Sequence, residues 1–293
     1  TTPFSFVATT HALWWNNIKP VFIDIDNKSF GIDPARIEAS INPKTTAILP
    51  VHVYGYPCHT DAIREIAGKH KLKVIYDAAH AFGVKQNDSS ITNVGDLSVL
   101  SFHATKVFTT FEGGAIVCHD ENTKKHIDFL KNFGFNGETN VIGPGINAKM
   151  NEMQAAFGLL QLKYLDNYIL KRKEITLKYR EELQDVEGIF FTPDLKKVQH
   201  NYAYFPILID EKIYGISRDI VYELLKQKNI FTRRYFYPLI TQFSPYKTLE
   251  SARAENLPVA NEIASKILCL PIYPDLEATD VVRICSYIKN HFA

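Results

Sequence analysis

Lys106 stands in the run Ser101-Phe102-His103-Ala104-Thr105-Lys106-Val107-Phe108, where an apolar stretch ends. Lysines rarely settle among Phe, Ala and Val, because burying an ammonium is costly. Where one does, its pKa falls and the free amine becomes a nucleophile toward carbonyls. The commoner outcome is a packed stem with its head in water. A second group lies upstream. Asp77 closes the apolar run Lys73-Val74-Ile75-Tyr76 and is followed by Ala78-Ala79-His80-Ala81-Phe82-Gly83. In open α/β sheets, ligands gather at the carboxyl ends of strands; the plain alternative is an aspartate capping the next helix. Together the two suit pyridoxal phosphate, whose aldehyde takes a lysine and whose ring nitrogen takes an acidic partner.

These groups need elements to carry them. Short apolar runs at 20–24, 46–53, 73–77 and 97–102 read as strands, separated by helical patterns at 34–41 and 60–70. That alternation implies βαβ units and a mainly parallel sheet. The next run, 115–118, follows 97–102 without a helix between them, so this pair can be antiparallel. Segment 109–114 reads as a turn, placing Lys106 in a loop at the sheet edge. Beyond residue 150 the pattern changes. Long helical stretches span 151–165 and 168–183, followed by a strand at 202–209, a helix at 218–228, a strand at 230–236 and a last helix from about residue 279. The expected architecture is α/β: a large domain over 1–165, its mainly parallel sheet flanked by helices, and a smaller C-terminal α/β domain over 166–293.

Composition narrows the classes further. A net charge of +1 over 293 residues argues against nucleic acid as the main partner. No apolar run is long enough for a membrane span and none resembles a signal peptide, so a cytoplasmic protein is expected. Cys58, Cys118, Cys269 and Cys285 are widely spaced and form no C-x-x-C pair; packed, reduced thiols are expected. His52, His59 and His103 share no ligand spacing, so no metal is expected.

Several runs together carry a family resemblance. Thr2-Pro-Phe-Ser-Phe-Val-Ala-Thr9, Val51-His-Val-Tyr-Gly55, Asp77-Ala-Ala-His-Ala-Phe-Gly83, Ser101-Phe-His-Ala-Thr-Lys106 and Phe111-Glu-Gly-Gly-Ala115 resemble the DegT/DnrJ-type sugar aminotransferases. Gly145-Ile-Asn-Ala-Lys-Met-Asn-Glu-Met-Gln-Ala-Ala156 and Leu270-Pro-Ile-Tyr-Pro274 extend the likeness over nearly the whole chain. The resemblance implies the fold-type I aminotransferase architecture, pyridoxal 5'-phosphate as cofactor, and a homodimer with active sites at the subunit interface. By position, Lys106 matches the lysine that binds the cofactor covalently and Asp77 the partner of the ring nitrogen. His80 matches a residue near the phenolic oxygen, and Phe6 the aromatic that stacks on the ring. Ser101 matches a phosphate-binding hydroxyl, and Asn147 an asparagine reaching the phosphate from the neighbouring subunit. Read without the family, Phe6 is core, His80 a satisfied buried imidazole, and Asn147 a cap of the following helix.

The runs 103–108 and Asn132-Phe133-Gly134-Phe135 look most like enzymes that move an amino group from glutamate to C4 of dTDP-4-keto-6-deoxyglucose. Amination at C3 is the near alternative. A sugar dehydratase of this kind would carry His in place of Lys106, and a non-catalytic binding protein or regulator would not need Asp77 and Lys106 together. There are two departures from the family. Relatives bind the phosphate through a Gly-Thr turn at a helix start, whereas this sequence opens inside an internal family motif, in what reads as a strand; a segment preceding Thr1 is therefore expected. Tyr237 stands before Pro238 where many relatives have His.

Overall fold

The computed structural model describes residues 1–290. In chain order its helices and strands are α1 (Ala8–Trp15), β1 (Ala47–Ile48), α2 (Thr60–His70), β2 (Lys73–Asp77), β3 (Lys85–Gln86), β4 (Ser89–Ser90), β5 (Leu97–Ser101), β6 (Gly114–Cys118) and α3 (Glu121–Leu130). The second half adds α4 (Glu152–Leu162), α5 (Leu165–Leu183), β7 (Ile189–Phe191), β8 (Val198–Gln199), β9 (Phe205–Ile209), α6 (Glu211–Tyr214), α7 (Arg218–Gln227), α8 (Pro258–Lys266), β10 (Ile267–Leu270) and α9 (Ala278–Lys289).

One sheet has the order β1-β2-β5-β6. β1 and β2 run parallel, as do β2 and β5, with Asp77 opposite Val99. β6 is antiparallel to β5, with Ser101 opposite Gly114. The parallel step from β1 to β2 is made by α2, which turns Ile63 and Ala67 inward. Lys71 ends α2 in the left-handed conformation, and Asp61 sits in its first turn, where the helix dipole favours a negative charge. A second sheet, β10-β9-β7, is antiparallel throughout. A small third one, β4-β3-β8, ties segment 85–90 to segment 198–199.

Several expected elements form differently. The run 20–24 joins no sheet: Ile23 N donates to Thr1 O at 2.9 Å, and the chain is buried against α8. Its Asp24 carboxylate accepts from the backbone N–H groups of Val259 and Ala260 at 2.9 and 2.8 Å, capping α8 from a distant segment. The helix expected over 34–41 is two 3-10 turns, Pro34–Arg36 and Glu38–Ser40. The strand expected over 230–236 reduces to a single bridge between Arg233 and Cys269. The opening residues do not continue a strand either; they lead into α1. One core cluster joins Phe4, Phe22 and Tyr54 to Phe236, Leu239 and Ile263, so residues from both ends of the chain pack together.

The core also encloses imidazoles. Burial pushes His52 down to about 3 and His200 to about 4, and holds His80 well below its usual range. Each is neutral in the fold, while the unfolded chain takes up a proton near pH 6.5. Below that pH the unfolded state binds more protons, so stability falls as pH falls, until the folded-state pKa values are reached. We expect the urea midpoint to drop between pH 7.5 and pH 5, with a slope at the acid end of up to about 1.4 kcal/mol per pH unit for each imidazole. A flat midpoint across that range would mean that these histidines are charged inside the fold.

Candidate active site

Asp77 is placed by backbone pairing on both sides. Asp77 N donates to Pro50 O at 2.9 Å, His52 N to Asp77 O at 3.0 Å, and Ala78 N to Val99 O at 2.8 Å. Its carboxylate lies between two further donors: Ala79 N reaches Oδ1 at 3.0 Å and the Thr9 hydroxyl reaches Oδ2 at 2.6 Å. No helix follows Asp77: residues 78–83 form turns, and the helix-cap alternative does not hold.

Lys106 lies in the loop that joins β5 to β6. The loop closes on itself through Phe102 N to Gly113 O at 2.8 Å, Thr110 N to Phe102 O at 3.0 Å and Lys106 N to His103 O at 2.9 Å. Phe82, just beyond Asp77, stacks on Phe108 at 4.4 Å and meets Phe102 edge-on at 5.6 Å. This aromatic packing fixes the two loops against each other. Burial lowers the pKa of Lys106, and the charge of Asp77 partly opposes that shift. Desolvation prevails, which favours the free amine.

His80 is buried between them. Its Nδ1 accepts from Tyr54 N at 3.1 Å, which leaves the proton on Nε2. Burial and then the nearby Lys106 charge keep the ring neutral. It lies parallel to Phe236 at 5.8 Å and meets Tyr204 edge-on at 4.9 Å. Lys106, His80, Asn201 and Tyr204 share a cavity of about 10 Å³, room for no more than a single water.

The remaining expected residues divide. Ser101 ends β5, half-buried, with its hydroxyl accepting from His103 N at 3.4 Å. Phe6 is not core: it is 59% exposed, presenting its ring just before α1. Asn147 is exposed on the excursion 131–150, bridged to Asn132, and accepts from Lys149 N at 3.4 Å. It does not cap the next helix. Asn151 does, in a capping box with Gln154. Among the described residues, no hydrogen bond links Asn147 to Asp77, His80 or Lys106.

The sequence reading missed four contributors: Thr9, Asn201, Tyr204 and Phe236. Asn201 donates to His80 O at 2.8 Å and Phe82 O at 2.9 Å, and accepts from Ala203 N at 3.1 Å. It thereby ties the loop after Asp77 to a segment 120 positions downstream. Gly55 makes room for it: with φ at +91°, a Cβ there would come within 2.8 Å of Asn201 Oδ1 and 3.0 Å of His80 O. Only the apolar alternation of 202–209 was legible in this stretch, and alternation names no distant partner. A larger depression of about 420 Å³ lies against α5, α6 and α9. Its Glu181 and Glu182 are paired with Lys178, and Glu182 also with Lys289, which marks a solvated charged rim.

The donor set suits pyridoxal phosphate. It offers a desolvated amine, a carboxylate anion held in one orientation, a neutral imidazole with Nε2–H to donate, and an open aromatic face. Among the described residues no cluster of His, Cys, Asp or Glu is arranged to hold a metal, and no helix is long and apolar enough to cross a membrane.

Comparison with known proteins agrees. The chain is 53% identical over 291 residues to a dTDP-4-amino-4,6-dideoxy-D-glucose transaminase of Shigella dysenteriae, covering 99% of this chain and 78% of that protein. It is 52% identical to the transaminase of the same name from Escherichia coli, covering 98% and 78% respectively. Among solved structures, DesI in the presence of its TDP-sugar product superimposes with a TM-score of 0.93 at 35% identity, covering 99% of this chain and 74% of that one. The α/β fold is that of the pyridoxal-phosphate aminotransferases. The model of the DegT/DnrJ/EryC1/StrS aminotransferase family matches residues 1–289, and the chain belongs to that family.

Proposed function

We propose that this protein transfers an amino group from glutamate to C4 of dTDP-4-keto-6-deoxyglucose. The observation that carries this reading is the pairing of Asp77 with a desolvated Lys106 at one sheet edge, in a chain more than half identical to two transaminases named for that product. When bound, pyridoxal phosphate supplies an electron sink for the carbon that loses or gains a proton. Lys106 holds the cofactor between turnovers. Released, its Nζ carries a proton to and from that carbon as general base and acid. Asp77 holds the proton on the ring nitrogen. His80 Nε2–H donates to the phenolic oxygen, Phe6 covers a ring face and Ser101 takes a phosphate oxygen. Glutamate departs as 2-oxoglutarate and the sugar ketone becomes an amine.

We further infer a homodimer whose two sites are shared, with Asn147 serving the neighbour's phosphate. In support, α4 is mostly exposed although it carries Met153, Leu159 and Leu160, and Ile146 and Phe111 are exposed as well. Apolar surface of this extent marks an interaction site. The division at residues 165 and 166 is proposed as the boundary between cofactor-binding and C-terminal parts; positions 291–293 of the latter lie outside the described residues.

The direct test offers the purified protein a panel of nucleotide-linked 3- and 4-keto-sugars with glutamate, and locates the new amine by NMR. Amination only at C3, or of no keto-sugar, rejects the assignment. Lys106→Ala is expected to abolish turnover with the fold retained, as read by circular dichroism; wild-type rates in that variant would remove Lys106 from the chemistry. Asp77→Asn is expected to lower kcat/KM at least about 100-fold, because an amide cannot hold the ring proton as an ion pair does. For the shared site, Asn147→Ala and Lys106→Ala chains are mixed. One heterodimer site then has both residues intact, and activity should rise above that of either parent. No gain despite proven subunit exchange would assign Asn147 to its own loop.

A further inference from the structure

Asp77 can serve a ring nitrogen only if its carboxylate stays in one orientation, and the hydrogen bonds around it show what holds it. A carboxylate accepts and does not donate. The contact of 2.6 Å between Thr9 Oγ1 and Asp77 Oδ2 therefore uses the single hydroxyl hydrogen of Thr9. Thr9 Oγ1 also lies 2.9 Å from Ser5 Oγ. With its own hydrogen committed, Thr9 must accept there, and Ser5 must donate. The order is fixed: Ser5 donates to Thr9, and Thr9 to Asp77. Both hydroxyls are buried, at 4% and 6% exposure, so water does not compete for them. Hydrogen bonds to an ionised group in such surroundings are short and strong, as this one is.

The local geometry gives the pair a second role. Ser5 and Thr9 are one helical turn apart across the start of α1, with Val7 at the N-cap. Phe6 lies between them in sequence and stays exposed. One short segment therefore sends two hydroxyls inward to Asp77 and one aromatic ring outward, and the helical turn sets their spacing.

We propose that Thr9 is a positioning residue for the reaction. Seconded by Ser5, it fixes the Asp77 carboxylate as an anion aimed at the ring nitrogen, and it sets Phe6 and Asp77 in register with each other. The proposal rests on the pyridoxal-phosphate reading above. With Ala79 N on Oδ1 and Thr9 on Oδ2, both oxygens already hold a hydrogen. Each oxygen keeps a lone pair for the ring N–H, and hydrogen bonds to the ionised form lower the proton affinity of the carboxylate, so the proton stays on the ring nitrogen.

The experiment loads the protein with pyridoxal phosphate labelled with 15N in the ring and follows the 15N chemical shift across pH. Wild type should show a protonated nitrogen. Thr9→Val, which keeps the shape and removes the hydroxyl, should move the shift toward the unprotonated value and lower kcat about 10- to 100-fold, the rate equivalent of one hydrogen bond to a charged group. KM for the sugar nucleotide should stay within about two-fold, because uniform binding is untouched. Thr9→Ser should restore both the shift and kcat. Ser5→Ala should move the shift the same way by a smaller amount, and it decides the matter if Thr9→Val does not fold. A wild-type shift and pH profile in Thr9→Val, or in Ser5→Ala where only that variant folds, overturns the role of Thr9 while the cofactor reading stands. Failure of the wild-type protein to take up the labelled cofactor overturns both.

Discussion

The site depends on a partly desolvated amine lying near a carboxylate, with burial lowering the amine's pKa against the pull of that charge. In open water such a pair would only raise the amine's pKa. Here desolvation of Lys106 outweighs the pull of Asp77. That balance requires different treatment of the two groups. Lys106 shares a small, largely apolar cavity with Ala79, Phe82 and Val107, whereas the Asp77 carboxylate receives two hydrogen bonds. Withdrawing water from one group while supplying donors to the other separates their behaviour over a short distance.

The rest of the fold maintains this contrast. The loops after β2 and β5 have backbone bonds of their own, and further contacts fix them against each other and against distant segments. Phe82 against Phe108 is one. The amide of Asn201, spanning His80 O and Phe82 O, is another. Phe236 and Tyr204 close on His80 from the far end of the sequence. Residues beyond 200 thus supply walls against which the loop after Asp77 rests.

The parts legible in sequence were those whose cause is local. The apolar run 73–77 and the amphipathic stretch 60–70 coincide with β2 and α2 because burial on one face dictates their period. Lys106 and Asp77 were visible because a charge in an apolar run is a local anomaly. Segment 20–24 looked like a strand, yet it is buried through Asp24 capping a helix more than 200 residues away, and no period encodes that. Thr9 stood only as the last residue of a family run, and its value comes from a partner 68 positions on. Asn201 lay just before the run 202–209 read as a strand, which forms only from Phe205. Such residues act through a single long-range hydrogen bond, and in sequence they are indistinguishable from any other Thr or Asn.

The antiparallel return of β6 has a consequence for how this scaffold can vary. A parallel neighbour would have needed a crossover helix, leaving a long connection free to lengthen or shorten. Instead, both ends of the Lys106 loop enter the same ladder, at Ser101 and Gly114. An added residue cannot be absorbed in slack chain. It would bulge the hairpin and turn the nitrogen away from Asp77. The excursion 131–150 is pinned mainly to itself and to the end of α3. Length is therefore cheap to change where the chain reaches outward and expensive where it holds the amine, so insertions that diversify such enzymes belong around the rim of the site.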